Sequence, residues 1–257
     1  MKTPTFYTKV PPYVAPPALP DTLRQLWEFA LRPKVVPREQ NIVETKLPLI
    51  FQITFIEMAI QTALLVGLAF LYDTLGFEYL ITTSKDTLAS AFPFFPLLVT
   101  VVLLAPLTEE IIFRLPLVYS RGFLFVAVFA LLLNFGPLVM QTLEASMVYF
   151  AGGALLLLAL AVWPFISRRL QAIVYLFWKR HFGFVFYTSA GLFALLHLLN
   201  YQETGLPLAL LLLLVLPKFV GGIFLGYTRL RLGVGWSVAL HMFNNLVALM
   251  LLYGMMG

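Results

Sequence analysis

Seven apolar stretches, at about residues 48–72, 95–120, 123–141, 145–166, 182–200, 206–227 and 233–254, are each long enough to cross the hydrocarbon core of a bilayer. A backbone inside lipid must satisfy its own polar groups, so such stretches fold as helices and bury their remaining polar atoms against one another. The expected fold is all-α: a polytopic integral membrane helix bundle of about seven spans. Composition points the same way, because 61% of the 257 residues are hydrophobic and 11% are charged, whereas soluble domains hold about 25% charged residues. A chain this apolar cannot cover its own surface with polar side chains. There is no cysteine, which excludes disulfide scaffolds, thiolate metal sites and a cysteine nucleophile.

Residues 1–47 differ from the rest. Six of the seventeen prolines fall in the first twenty residues, and seven of the seventeen Lys and Arg precede the first span. No apolar h-region follows the basic start, so a retained peripheral segment is expected rather than a cleaved signal peptide. Within it Leu23, Leu26, Trp27, Ala30 and Leu31 recur at helical spacing after Asp21, an expected N-cap, and read as a short interfacial helix. Residues 48–257 are the expected membrane domain.

Orientation follows from the cations, which accumulate on the cytoplasmic side. With the N-terminus cytoplasmic, fifteen of the seventeen Lys and Arg fall on the inside, Lys85 lies in an outside loop with Asp73, Glu78 and Asp86, and Lys218 lies within a span. The formal charge of +5 is therefore a topology signal, and no nucleic-acid partner is expected. Trp163, Trp178 and Trp236 stand near span ends, where indole anchors at the interface.

Ionisable residues at depth carry the functional information, since each costs roughly 2.5–3.5 kcal/mol at a span's centre on insertion scales. The second span holds Glu109, Glu110 and Arg114. Adjacent residues point about 100° apart on an α-helix, so Glu110 pairs with Arg114 four residues on, and Glu109 is left to face a cavity. Pro106 and Pro116 bracket the segment and are expected to kink it. The fifth span ends at His197, and the seventh carries His241 and Asn245 on one face. Glu109 lies about twelve residues from the inner end of its span, His197 about fifteen and His241 about eight, which at roughly 1.5 Å per residue puts all three within the slab. Thr54, Glu57 and Gln61 share a face of the first span and read as interhelical hydrogen-bond contacts.

A carboxylate and an imidazole can deprotonate a water, while a second imidazole and a carboxamide can donate to the oxyanion formed when that water attacks a carbonyl. Glu109, His197 and His241 could instead hold a divalent metal such as zinc that activates the water. Spacing does not choose between them. No His-Glu-x-x-His or Gly-x-Ser-x-Gly is present, and a Ser237/His241 dyad has no evident oxyanion loop.

Glu109-Glu110-x-x-x-Arg114, Phe193-x-x-x-His197 and His241-x-x-x-Asn245, in that order on three spans, resemble the signatures of the CPBP family, the CAAX prenyl endopeptidases and bacteriocin-processing (Abi-type) membrane proteins. Gly222-Ile223-Phe224-Leu225-Gly226-Tyr227-Thr228-Arg229 is also similar to that family's segment. The resemblance covers roughly 95–120 and 182–250, and it implies a helical intramembrane endopeptidase core. By it Glu109 and His197 would activate water, and His241 and Asn245 would stabilise the oxyanion. Glu110, Arg114 and Phe193 would support them.

Three departures stand out. Only one span precedes the glutamate helix, fewer than the resemblance leads one to expect. The glutamate and first histidine motifs lie 88 residues apart, because an extra hairpin at about 123–166 separates them, and Leu115-Pro116 follows Arg114 where the family often has glycine. The expected partners are the lipid bilayer and a membrane-associated protein or peptide, prenylated or bearing a leader. The expected location is a bacterial inner membrane, with the C-terminus outside. The rival reading is a non-catalytic immunity or scaffold protein that keeps the motifs as a polar core.

Overall fold

A computed structural model describes residues 18–76, 93–142, 147–200 and 206–254. The proline-rich start up to residue 17 and the loop carrying Glu78, Lys85 and Asp86 lie outside the described residues. Every regular element among the described residues is a helix.

Helix α1 (Leu19–Leu31) starts at Ala18, whose side chain gives no cap, with Pro20 in its first turn. Proline suits that position because its missing N–H falls among donors that lack helical partners anyway. Asp21 therefore sits inside the first turn rather than at the N-cap. Thr22, Leu26 and Phe29 are buried against the bundle, while Leu23, Trp27 and Leu31 are exposed. The Phe29 ring meets Phe186 edge-on at 5.0 Å between centroids.

A non-helical strap follows. The Glu39 amide donates to the Arg231 carbonyl at 2.8 Å, Arg231 Nη2 pairs with Glu39 Oε1 at 2.7 Å, and Arg38 Nε donates to the Leu232 carbonyl at 3.2 Å. Gly233, at φ +115°, closes this turn; any Cβ there would run into the Arg38 guanidinium as well as being strained.

Helix α2 (Leu47–Thr74) continues from a π-helical turn at Ile42–Lys46, and α3 (Phe94–Leu117) follows the loop. Helices α4 (Arg121–Thr142) and α5 (Met147–Ile166) pack on each other as a hairpin. Next come α6 (Arg168–Arg180) and α7 (Phe182–Leu196), which runs into a 3-10 turn at His197–Asn200. Helices α8 (Leu208–Leu214), α9 (Leu216–Arg231) and α10 (Val234–Gly254) complete the order.

Among the described residues four helices are long and apolar enough to cross a membrane: Ile42–Thr74, Phe94–Leu117, Phe182–Leu199 and Val234–Leu251. A fifth span is made if α8 and α9 count together; they bend by 41° at Val215, just before Pro217. The stretches expected at 123–141 and 145–166 form α4 and α5, whose apolar parts, Arg121–Pro137 and Ala151–Leu160, are shorter. The chain is thus an all-α polytopic membrane bundle with four to five candidate spans among its described residues.

Helix α9 packs against α2, α7 and α10. Its glycines permit the close approach, as small residues do where helices must touch without a polar solvent to drive them together. A Cβ on Gly226 would fall 2.5 Å from a Phe186 ring carbon, and one on Gly222 would fall 3.4 Å from Arg114 Nη2. These contacts put α9 at the centre and leave the motif residues of α3, α7 and α10 converging beside it.

Candidate active site

Helix α3 is not a uniform α-helix. It runs α (Phe94–Leu98), π (Val99–Leu104), α (Ala105–Glu109), π (Glu110–Arg114) and 3-10 (Leu115–Leu117). The expected kinks at Pro106 and Pro116 take the form of these changes of winding. In the first π turn the Ala105 amide donates to Thr100, five residues back. The next residue is Pro106, which has no N–H to offer Val101 in the same register. Asn245 on α10 supplies the missing donor, its Nδ2 lying 2.8 Å from the Val101 carbonyl oxygen.

The second π turn begins at Glu110. A wider turn narrows the angle between successive side chains, and both glutamates reach one imidazole. His241 Nδ1 lies 3.1 Å from Glu110 Oε1, and its Nε2 lies 3.5 Å from Glu109 Oε2. The expected pair of Glu110 and Arg114 is present at 3.5 Å, and both residues are almost fully buried. Ser237 also hydrogen-bonds the Glu110 carboxylate, and its hydroxyl lies 2.9 Å from the Leu225 carbonyl oxygen. Ser237 thus serves Glu110 rather than His241. Its place one turn before His241 was the signal in the sequence.

Glu109 and His197 line a common cavity of about 130 Å³ together with Phe113, Phe193 and Leu199. Glu109 Oε2 is buried and makes no hydrogen bond among the described residues. His197 Nδ1 lies 2.8 Å from the Phe193 carbonyl oxygen. A carbonyl only accepts, so Nδ1 carries the proton, and a neutral ring keeps its lone pair on Nε2. Phe193 holds the assembly: its ring meets His197 at 4.7 Å and His241 at 5.6 Å, both edge-on.

The face of α2 behaves in part as expected. Glu57, fully buried, accepts from Asn244 Nδ2 at 2.9 Å, and Gln61 Nε2 donates to the Pro217 carbonyl at 2.8 Å. Thr54 instead bonds the Ile50 carbonyl of its own helix.

A metal held by Glu109, His197 and His241 is not supported. Among the described residues no group of three or more His, Cys, Asp or Glu side chains is placed to hold an ion. Both nitrogens of His241 face carboxylates, and the two imidazoles pack on Phe193 instead of closing on a common point. The expectation of a possible zinc ion is corrected accordingly.

The family model described as Type II CAAX prenyl endopeptidase Rce1-like matches residues 91–247. The chain belongs to this family. In the Rce1-like chain the match runs from three residues before α3 almost to the end of α10, so it takes in every motif residue from Glu109 to Asn245. The protein is a CAAX-type membrane protease by family, and its half-buried Glu109 with buried Glu110 and His241 forms a cluster of the catalytic kind. Neither a curated relative nor a solved structure matches this Rce1-like chain.

Proposed function

We propose that Glu109 is the general base of an intramembrane endopeptidase that hydrolyses a peptide bond with water. The observation that carries this reading is the buried Glu109 oxygen without a hydrogen-bond partner in a cavity shared with His197. Water between Glu109 and the His197 Nε2 lone pair loses a proton to the carboxylate as its oxygen bonds to the scissile carbonyl carbon. The carbonyl electron pair moves to oxygen, where His241 and the second N–H of the Asn245 amide, the one not given to Val101, donate hydrogen bonds. As the intermediate collapses, the C–N bond breaks and Glu109 returns its proton to the departing amine. Glu110, Arg114 and Phe193 orient the imidazoles.

The substrate is a membrane-associated protein or peptide, prenylated near its C-terminus or carrying a leader, because a site within the spans is reached from lipid. The chain lies in a bacterial inner membrane with its N-terminus cytoplasmic and its C-terminus outside, as the cation distribution directs. Residues 1–47 form the interfacial segment and 48–257 the membrane domain, in which α4 and α5 add two spans to make seven.

The test is cleavage of farnesylated and unmodified C-terminal peptides, and of leader peptides, by the purified chain in liposomes. Glu109→Ala and His197→Ala are expected to be folded and inactive. Full activity in folded Glu109→Ala overturns the mechanism, and an inactive wild type on every substrate class, with alanine variants that unfold, favours the scaffold reading.

A further inference from the structure

After α3 the chain passes through Tyr119 and Ser120 and enters α4 at Arg121. Facing this exit is the start of α6, where the Ser167 hydroxyl accepts from the Leu170 amide at 3.2 Å and Arg168 is the first helical residue. Between them lies a cavity of about 910 Å³, lined by Tyr119, Ser120, Arg121, Arg168, Gln171 and Tyr175. Among the described residues two guanidinium groups line it and no carboxylate does. Arg168 enters no ion pair among the described residues. The Tyr119 hydroxyl is buried and has no hydrogen-bond partner there either. Its ring is fixed by Tyr175 and Trp178, at 5.9 and 6.0 Å between centroids.

Cations lining a cavity that lacks carboxylates call for an anion. The surroundings say which kind. Helix α6 carries cations at both ends, at Arg168, Arg169, Lys179 and Arg180, and exposes Ile173, Leu176 and Phe177 between them. Such a two-faced helix lies in the plane of the membrane interface. On the neighbouring face of its first turns is a second, mostly apolar cavity, of about 350 Å³, lined by Leu160, Trp163, Leu170 and Ile173, with Ser167 and Arg169 beside them. A free phosphate would use only the basic cavity. A phospholipid would use both, and basic pockets between helices at the membrane surface take anionic headgroups.

We infer that the cavity between the α3 exit and the start of α6 binds the phosphate headgroup of an anionic phospholipid, with Arg121 and Arg168 on the phosphate and an acyl chain in the adjoining apolar cavity. The site lies apart from Glu109 and His197 and does not depend on the hydrolytic mechanism.

The full chain in detergent is titrated with short-chain phosphatidylglycerol, with phosphatidylcholine of equal chain length, and with inorganic phosphate, and bound lipid is read by native mass spectrometry. The expected result is one phosphatidylglycerol retained at least about tenfold more tightly than phosphatidylcholine, with no displacement by millimolar inorganic phosphate. Each arginine near an anionic membrane surface contributes about 1 kcal/mol, or about fivefold, so Arg121→Gln with Arg168→Gln weakens retention about 25-fold. Lys179→Gln with Arg180→Gln, at the far end of the same helix, changes it less than twofold. If the Arg121 substitution prevents folding, the single Arg168→Gln variant at its exposed position carries the test with about a fivefold loss. Equal retention of both lipids, an equal loss in the far-end variant, no loss in the arginine variants, or displacement by inorganic phosphate each overturns the inference.

Discussion

The guanidinium carbon of Arg114 lies 3.8 Å from the centroid of the Phe193 ring. This stacking fixes α3 against α7 and sets a cation on the ring whose edge contacts orient both histidines. The same guanidinium neutralises Glu110, so one arginine holds both a carboxylate and the aromatic support of the imidazoles. Replacing Phe193 with Leu keeps apolar volume and removes the π face. The expected result is a stability loss of about 0.5–2 kcal/mol and a fall of about tenfold in kcat with little change in KM, while Phe193→Tyr retains most activity. Thermal unfolding beside peptide-cleavage kinetics checks both parts.

Arg114→Ala leaves the Glu110 charge in the bundle without its cation. Breaking one side of a buried pair costs about 3–5 kcal/mol, far more than the pair itself contributes. Combining Arg114→Met with Glu110→Gln removes both charges and is expected to recover most of that loss. A double-mutant cycle on unfolding in detergent measures the coupling, and additive losses would contradict the pairing.

Asn245 has two separable tasks. Its bond to the Val101 carbonyl offsets the amide that Pro106 lacks, and its remaining N–H is the proposed oxyanion donor. Asn245→Ala should therefore lower both the melting temperature and, by about 10²–10³-fold, kcat. Adding Pro106→Ala restores a backbone donor to Val101, so stability should return while activity does not. Recovery of activity in the double variant would assign Asn245 a structural task alone.

Gly226→Ala places a methyl 2.5 Å from the Phe186 ring. Overpacking of this kind costs about 1–3 kcal/mol, and Phe186→Leu in the same chain should relieve it. Melting temperatures of the single and double variants decide the point.

Much of the site was legible because lipid makes polar residues conspicuous. Glu109, His197 and His241 stand out from apolar spans, and their order carried the resemblance that the family match bears out. The π turns were not legible, because winding depends on which helix supplies a donor to an orphaned carbonyl, and Asn245 sits 144 residues from Val101. The second partner of Glu110 followed from that winding and was missed with it. Residues 168–180 read as a cytoplasmic connection because cations crowd both ends, yet they form a helix whose apolar middle exposes Ile173, Leu176 and Phe177. Lys218, expected within a span, sits one residue after Pro217, which follows the bend and was the sign of a break within the apolar run.

The strap at residues 37–39 belongs to none of the motifs, yet it is fastened to Arg231 and Leu232, immediately before the helix that presents His241. The region recognised as protease, residues 91–247, does not include it. A minimal enzyme cut to that region would keep every motif side chain and lose the clasp that seats the first turn of the His241 helix, so the working unit of this protein is larger than its recognisable one.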